Sequence, residues 1–236
     1  MPDIEKNLAA NLRAIEKRIL TLARAYGRDP ATIQLVAVSK THDAEAVRRV
    51  YDAGARCFGE NYLQEALGKM DALKGLDIEW HFIGRIQGNK TRILAEHFNW
   101  VHGLDTLAHA QRLSSHRPAA LGPLNVCLQV NLSGEASKGG LSPDALPELA
   151  QAVAALPGLR LRGLMTLPRP ETDLAAQREP FRQLAQLQRQ LNGQGLGLDS
   201  LSMGMSEDLE AAIAEGATLV RIGTAIFGAR YRPVGP

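Results

Sequence analysis

With 236 residues, 45% of them hydrophobic and 22% charged, the chain has the composition of a soluble globular protein with a full core. Lysine and arginine number 27 against 25 for aspartate and glutamate, and the net charge of +2 argues against nucleic acid or an anionic membrane surface as a partner. The length suits one α/β domain over residues 1–236, and no apolar run approaches a membrane span.

From Ile4 to Tyr26 the residues Ile4, Leu8, Leu12, Ile15, Ile19 and Leu22 recur at spacings of three and four. That stripe predicts an amphipathic helix stopped by Gly27. Asp29-Pro30 turns the chain into Ile33-Gln34-Leu35-Val36-Ala37-Val38-Ser39-Lys40, which reads as a strand buried on both faces and ending in a lysine. Strand alternation puts Lys40, Val38 and Val36 on one face. If that face is inward, the amine stands on an apolar floor, where burial favours the neutral form that attacks carbonyls. The alternative is an ordinary solvated lysine after a strand.

A helix capped by Asp43 follows, then a short strand at Arg56-Cys57-Phe58 and a helix through Leu63, Leu67 and Met70. Glu79 to Ile83 is a third strand, Thr91 to His97 a helix, and Trp100-Val101-His102 a fourth strand before a helix capped at Asp105 or Thr106. Leu124 to Val130 is a fifth strand. Ser142-Pro143-Asp144 predicts a helix start with a capping hydroxyl and proline in the first turn. Leu159 to Met165 is a sixth strand, and Phe181 to Leu191 lies in a long Gln/Arg-rich helix. Leu198 to Ser202, a helix over Glu207 to Glu215, the strand Thr218 to Ile222 and a short helix from Thr224 complete the chain.

Eight strands alternating with helices predict a (β/α)8 TIM barrel with an extra N-terminal helix. A doubly wound sheet is the rival, weakened by the lack of Gly-x-Gly-x-x-Gly after the first strand. Cys57 and Cys127 sit in apolar runs and read as reduced core thiols, which, with an N-terminus lacking a signal-peptide profile, implies a cytoplasmic protein.

A barrel of this kind carries its site at the C-terminal ends of the strands. Those ends supply Lys40, Asn61, His81 with Gly84, His102, Asn131, Met165, Ser202 with Ser206, and Arg221 with Gly223-Thr224. No carboxylate pair stands among them, which argues against glycosidase chemistry. His81 and His102 lack a ligand-spaced partner and read as hydrogen-bonded structural histidines. The Gly223-Thr224 junction and Ser206, which also suits ordinary helix capping, would expose amides and hydroxyls to a phosphate. With Lys40 opposite, the site suits a phosphate-bearing aldehyde. An inward Arg221 needs a partner, either a ring nitrogen, a carboxylate of a ligand or an acidic neighbour.

Leu-Val-Ala-Val-Ser-Lys-Thr (35–41), Phe-Gly-Glu-Asn-Tyr (58–62), Trp-His-Phe-Ile-Gly (80–84), Arg-Gly-Leu-Met (162–165), Leu-Ser-Met-Gly-Met-Ser (201–206) and Arg-Ile-Gly-Thr-Ala-Ile-Phe-Gly (221–228) resemble, in order, the YggS/PROSC family of pyridoxal phosphate homeostasis proteins. That resemblance implies the barrel half of a fold-type III enzyme without its C-terminal β-domain, and pyridoxal 5'-phosphate (PLP) as cofactor. It implies that Lys40 bonds the aldehyde, that Ser206, Gly223 and Thr224 hold the phosphate, and that Arg221 faces the pyridine nitrogen. Asn61 would lie near the phenolic oxygen, with Ser202 and Met203 close by. Lys138 matches a family position without an assigned role. The chain departs from the usual pattern at Arg85-Ile86-Gln87-Gly88 and at His42.

An arginine at the pyridine nitrogen weakens the ring as an electron sink. The two-domain racemases take a second base, a tyrosine, from the β-domain, and here only Tyr62 among the tyrosines falls near a strand end. The expectation is therefore a monomeric carrier of PLP in vitamin B6 homeostasis, not an enzyme, with PLP-dependent apoenzymes as recipients. A single-domain amino-acid racemase is the alternative.

Overall fold

The computed structural model describes residues 7–133 and 139–228. Eight strands, β1 (Gln34–Val38), β2 (Cys57–Glu60), β3 (Glu79–Phe82), β4 (Trp100–Leu104), β5 (Leu124–Gln129), β6 (Leu159–Met165), β7 (Ser200–Ser202) and β8 (Leu219–Ile222), form a closed parallel barrel in sequence order. Closure is direct, with Val36 of β1 opposite Arg221 of β8. The barrel is thus the predicted one, and Lys138, in the segment 134–138, lies outside the described residues.

Alternation along the strands sorts the apolar side chains into two layers. Val36, Cys57, Trp100, Cys127, Met165 and Leu219 meet inside the barrel, while neighbours such as Ala37, Phe58, Val101, Leu128, Leu164 and Val220 join the layer under the helices. Both cysteines are buried free thiols, as expected, and burial pushes them up to about 11 at Cys57 and about 12 at Cys127. Met165 belongs to this interior ring, so the cleft wall after β6 comes instead from the loop beyond it.

The helices are α1 (Leu8–Ala25), α2 (Ala44–Asp52), α3 (Leu63–Ala72), α4 (Thr91–His97), α5 (Leu107–His116), α6 (Leu146–Ala154), α7 (Leu174–Gly193), α8 (Leu209–Ala214) and α9 (Thr224–Phe227). Four-residue α9 is too short to cover the β8–β1 seam, and α1 packs against α9, α8 and α2 with Leu8, Leu12, Ile15 and Ile19 buried. Asn11 donates to the Ile226 carbonyl at 3.0 Å, tying α1 to α9. Asp43 and Thr106 cap their helices as predicted. Among the described residues no helix is long and apolar enough to cross a membrane.

Two predicted helix starts are corrected. After Ser142 the chain makes a 3-10 turn, Pro143–Ala145, and the Ser142 hydroxyl makes no capping bond. Pro147 has no N–H to give the Pro143 carbonyl, so an α-turn cannot begin there. Ser206 likewise caps nothing: α8 starts at Leu209 after a turn, and the Asp208 carboxylate accepts from the Met205 N–H instead.

Between Val126–Leu161 and Cys127–Gly163 the β5–β6 register shifts by a bulge, which drives Gly163 against β7. A Cβ at Gly163 would lie 1.7 Å from the Ser200 carbonyl oxygen. Gly163→Ala is therefore expected to lower stability by about 2–3 kcal/mol, read as a reduced urea midpoint.

Candidate cofactor-binding site

At the C-terminal ends of the strands lies a cleft of about 430 Å³. Its floor is Val38 and Ile83, one wall is the loop after β6 (Leu167, Pro168, Pro170), and the other is Ser206, Gly223, Thr224 and Ala225. Lys40, Asn61 and Arg221 also line it. Six of the eight residues singled out from the sequence thus share one cavity. Lys40 is half-buried and lines the cleft with Val38, the inward one of the two orientations left open by the sequence.

The turn carrying Lys40 is strained. Thr41 has φ of 68°, a left-handed conformation that a β-branched residue adopts only under constraint. The constraint comes from α3. Buried Lys69 donates to the Ser39 carbonyl at 2.6 Å, to Glu60 at 2.7 Å and to Glu65 at 2.5 Å, one acceptor for each ammonium proton. Glu65 also accepts from the Thr41 N–H at 2.6 Å, and the Ser39 hydroxyl donates to Glu60 at 2.5 Å. Residues on both sides of Lys40 are therefore held by one buried ion cluster. Sequence reading missed Lys69, Glu60 and Glu65, although Glu65 and Lys69 stand at helical i,i+4 spacing on a face that must meet the barrel.

Asn61 follows Glu60 on the same strand end. Its Oδ1 is buried and has no hydrogen-bond partner among the described residues. Gly84 presses on its backbone so closely that a Cβ would lie 2.4 Å from the Asn61 carbonyl oxygen. His42, one of the departures from the family pattern, stacks on Phe227 with ring centroids 5.0 Å apart, packing the loop after β1 on α9.

Arg221 is 4% exposed, and among the described residues no carboxylate forms an ion pair with it. Its guanidinium donates to the Ser202 hydroxyl at 2.6 Å and the Thr166 carbonyl at 3.0 Å. Burial lowers its pKa to about 10, which leaves it charged at neutral pH. Ser202 and Met203 do not line the cleft. Ser202 lies beneath Arg221, and Met203 is buried in the layer under the helices because Gly204, at φ 93°, turns the chain only after it.

His81 and His102 are not at the rim but fully buried in mid-strand, bonded to each other at 2.9 Å. Both are hydrogen-bonded, as expected. Below them Cys57, Glu79 and His81 bring ligand atoms within 4.8 Å of one another, with the Gln34 amide bridging Cys57 and Glu79. The cleft rim also holds Glu171, Glu207 and Asp208, carboxylates on loops that strand ends alone did not reveal.

Removing one partner of a buried ion cluster leaves the other charge uncompensated. Lys69→Met is expected to cost about 3–5 kcal/mol near neutral pH. Burial already pushes the Glu60 carboxyl up, opposed chiefly by Lys69. Without Lys69 the folded state binds a proton on Glu60 more readily than the unfolded state, so stability rises as pH falls. Denaturant midpoints of the variant are expected to recover as the pH is lowered from neutral toward the ordinary carboxylate range.

The family model for the alanine racemase N-terminal domain matches residues 10–231. A pyridoxal phosphate homeostasis protein of Pseudomonas aeruginosa is 63% identical over 223 residues, covering 94% of this chain and 96% of the relative. PipY of Synechococcus elongatus, solved with PLP bound, superposes with a TM-score of 0.83 at 37% identity, covering 94% of this chain and 100% of that one. Alanine racemase of Corynebacterium glutamicum shares the fold at a TM-score of 0.68 and 19% identity, over 91% of this chain and 60% of the racemase. With near-complete coverage by relatives of this kind, the chain belongs to the alanine racemase N-terminal domain family, on the branch of the pyridoxal phosphate homeostasis proteins.

Proposed function

We propose that this chain binds PLP, retains it on Lys40 and passes it to PLP-dependent apoenzymes without turning over amino acids itself. The observation that carries the reading is the convergence, in one cleft, of the strained Lys40 turn, the unpartnered Asn61 oxygen and the buried Arg221. When bound, PLP supplies an aldehyde that a lysine amine captures reversibly with release of water.

The residues present fit such a ligand. Asn61, whose amide offers donor and acceptor ends, suits a phenolic oxygen. Arg221 has only donors to offer and, among the described residues, no carboxylate hydrogen-bonded to it, so it suits an unprotonated ring nitrogen. Ser206 and Thr224 supply hydroxyls, and Gly223 an uncluttered backbone, on the side suited to a phosphate. The PLP-bound state of PipY and the names of the close relatives support the assignment.

A carrier needs reversible retention, and Arg221 favours retention over turnover by leaving the ring a poor electron sink. Tyr62, the one tyrosine expected near a strand end, is 54% exposed at the N-cap of α3 and does not line the cleft. Tyr231 lies outside the described residues. The rim carboxylates Glu171, Glu207 and Asp208 make α-proton abstraction the reaction to test.

Mixing the protein with PLP is expected to produce a visible absorption band that Lys40→Ala abolishes while the fold persists by circular dichroism. Retention of the band in the variant overturns the role of Lys40. With L- and D-amino acids, α-proton exchange is expected to stay far below about 1 per second; exchange at that rate makes the protein an enzyme.

A further inference from the structure

Among the described residues no carboxylate hydrogen-bonds to Arg221, although Asp208 acts on it through space; from its guanidinium a chain of hydrogen bonds runs down the barrel interior. Arg221 Nη1 lies 2.6 Å from Ser202 Oγ, and Ser202 Oγ lies 2.7 Å from His102 Nδ1. His102 Nε2 is 2.9 Å from His81 Nδ1, and His81 Nε2 is 2.9 Å from Glu79 Oε1. Ser202, His102 and His81 are fully buried, and His81 is further fixed by near-parallel stacking on Trp100 at 5.5 Å. Glu79 stands at the opposite end of β3 from the cleft, partly open to solvent.

The protons in this chain can be assigned from its ends. The hydrogen bond from His81 lowers the pKa of Glu79, so a carboxylate terminates the chain and can only accept. Burial holds both imidazoles neutral. His81 therefore carries its proton on Nε2 and accepts at Nδ1. His102 must then donate from Nε2 and accept at Nδ1, which commits the Ser202 hydroxyl proton to His102. Ser202 is left with a lone pair for Arg221, which has only protons to offer. Every donor points from the cleft toward Glu79. The reverse order would need a proton on Glu79, and it would strand the Ser202 proton against a guanidinium that cannot accept it.

The geometry points to Glu79 as a positioning residue for the cleft: its carboxylate sets the tautomers of His81 and His102, and through Ser202 it orients the guanidinium of Arg221. It touches no ligand and acts only through the chain. The ligand consequence rests on the PLP reading, but the tautomer assignment does not.

Two arms test it on the full chain. In the first, imidazole nitrogen NMR of the ligand-free protein is expected to show His81 and His102 both as Nε2–H tautomers. Glu79→Leu is expected to convert His81, or both, to a mixture with Nδ1–H, while Glu79→Gln, whose amide oxygen still accepts, retains the wild-type pattern. An Nδ1–H tautomer in the wild type, or unchanged tautomers in Glu79→Leu, overturns the proposal. If Glu79→Leu does not fold, the wild-type tautomers decide alone.

In the second arm PLP is titrated into each protein. Glu79→Leu is expected to weaken binding about tenfold and Glu79→Gln about twofold, with circular dichroism unchanged. Equal affinity in wild type and Glu79→Leu overturns the positioning role. Failure of the wild type itself to bind PLP overturns the functional reading instead, and leaves the tautomer arm to decide the orientation of the chain.

Discussion

The geometry of the cleft depends first on Lys69. A buried ammonium is tolerated only when its protons are all matched, and here the three acceptors are a carbonyl from the end of β1, a carboxylate from β2 and one from α3 itself. One side chain thus links β1, β2 and α3 under the Lys40 turn. The left-handed Thr41 is the visible cost of that arrangement, and the amide held by Glu65 is what keeps it there. A reactive amine on a loop would sample many positions. Here the backbone on either side of Lys40 has been given one.

The barrel interior is divided in a way that serves the same end. One set of inward positions is apolar, with Val36, Cys127, Met165 and Leu219 around Trp100. Threaded through it are Glu79, His81, His102, Ser202 and Arg221, each imidazole nitrogen matched to a partner. Partly satisfied, such a chain would be worse than an apolar filling, whereas fully satisfied it fixes a unique arrangement. The apolar ring keeps competing water out of that arrangement.

Much of this was legible in the sequence because it depends on periodicity. The switch between alternation and helical spacing located eight strands, and parity put Lys40 on one face with Val36 and Val38, and Arg221 with Gly223, without saying which face was inward. What stayed hidden depends on distances across the barrel. Nothing in the spacing of Glu79, His81, His102 and Ser202 says that three strands bring them into one file, since β3, β4 and β7 meet at registers only the closed sheet defines. Lys69 was hidden for a different reason: lysine on an amphipathic helix is normally surface, and its burial follows from a glutamate at the end of a neighbouring strand. Ser142 and Ser206 show the opposite error. Each looks like a cap, but Pro147 in one case and the Asp208 turn in the other move the helix start downstream.

The shortness of α9 has a consequence for how the chain reaches its fold. The apolar stripe of α1 is covered by α2, α8 and α9, and the Asn11–Ile226 bond joins residues 215 positions apart. During synthesis α1 therefore cannot complete its packing until α8 and α9 have emerged. Until then part of its apolar side is uncovered, open to holdase chaperones or to self-association. Sealing the seam between the first and last strands is then the event that converts a curled open sheet, with two unpaired edges, into a barrel with none.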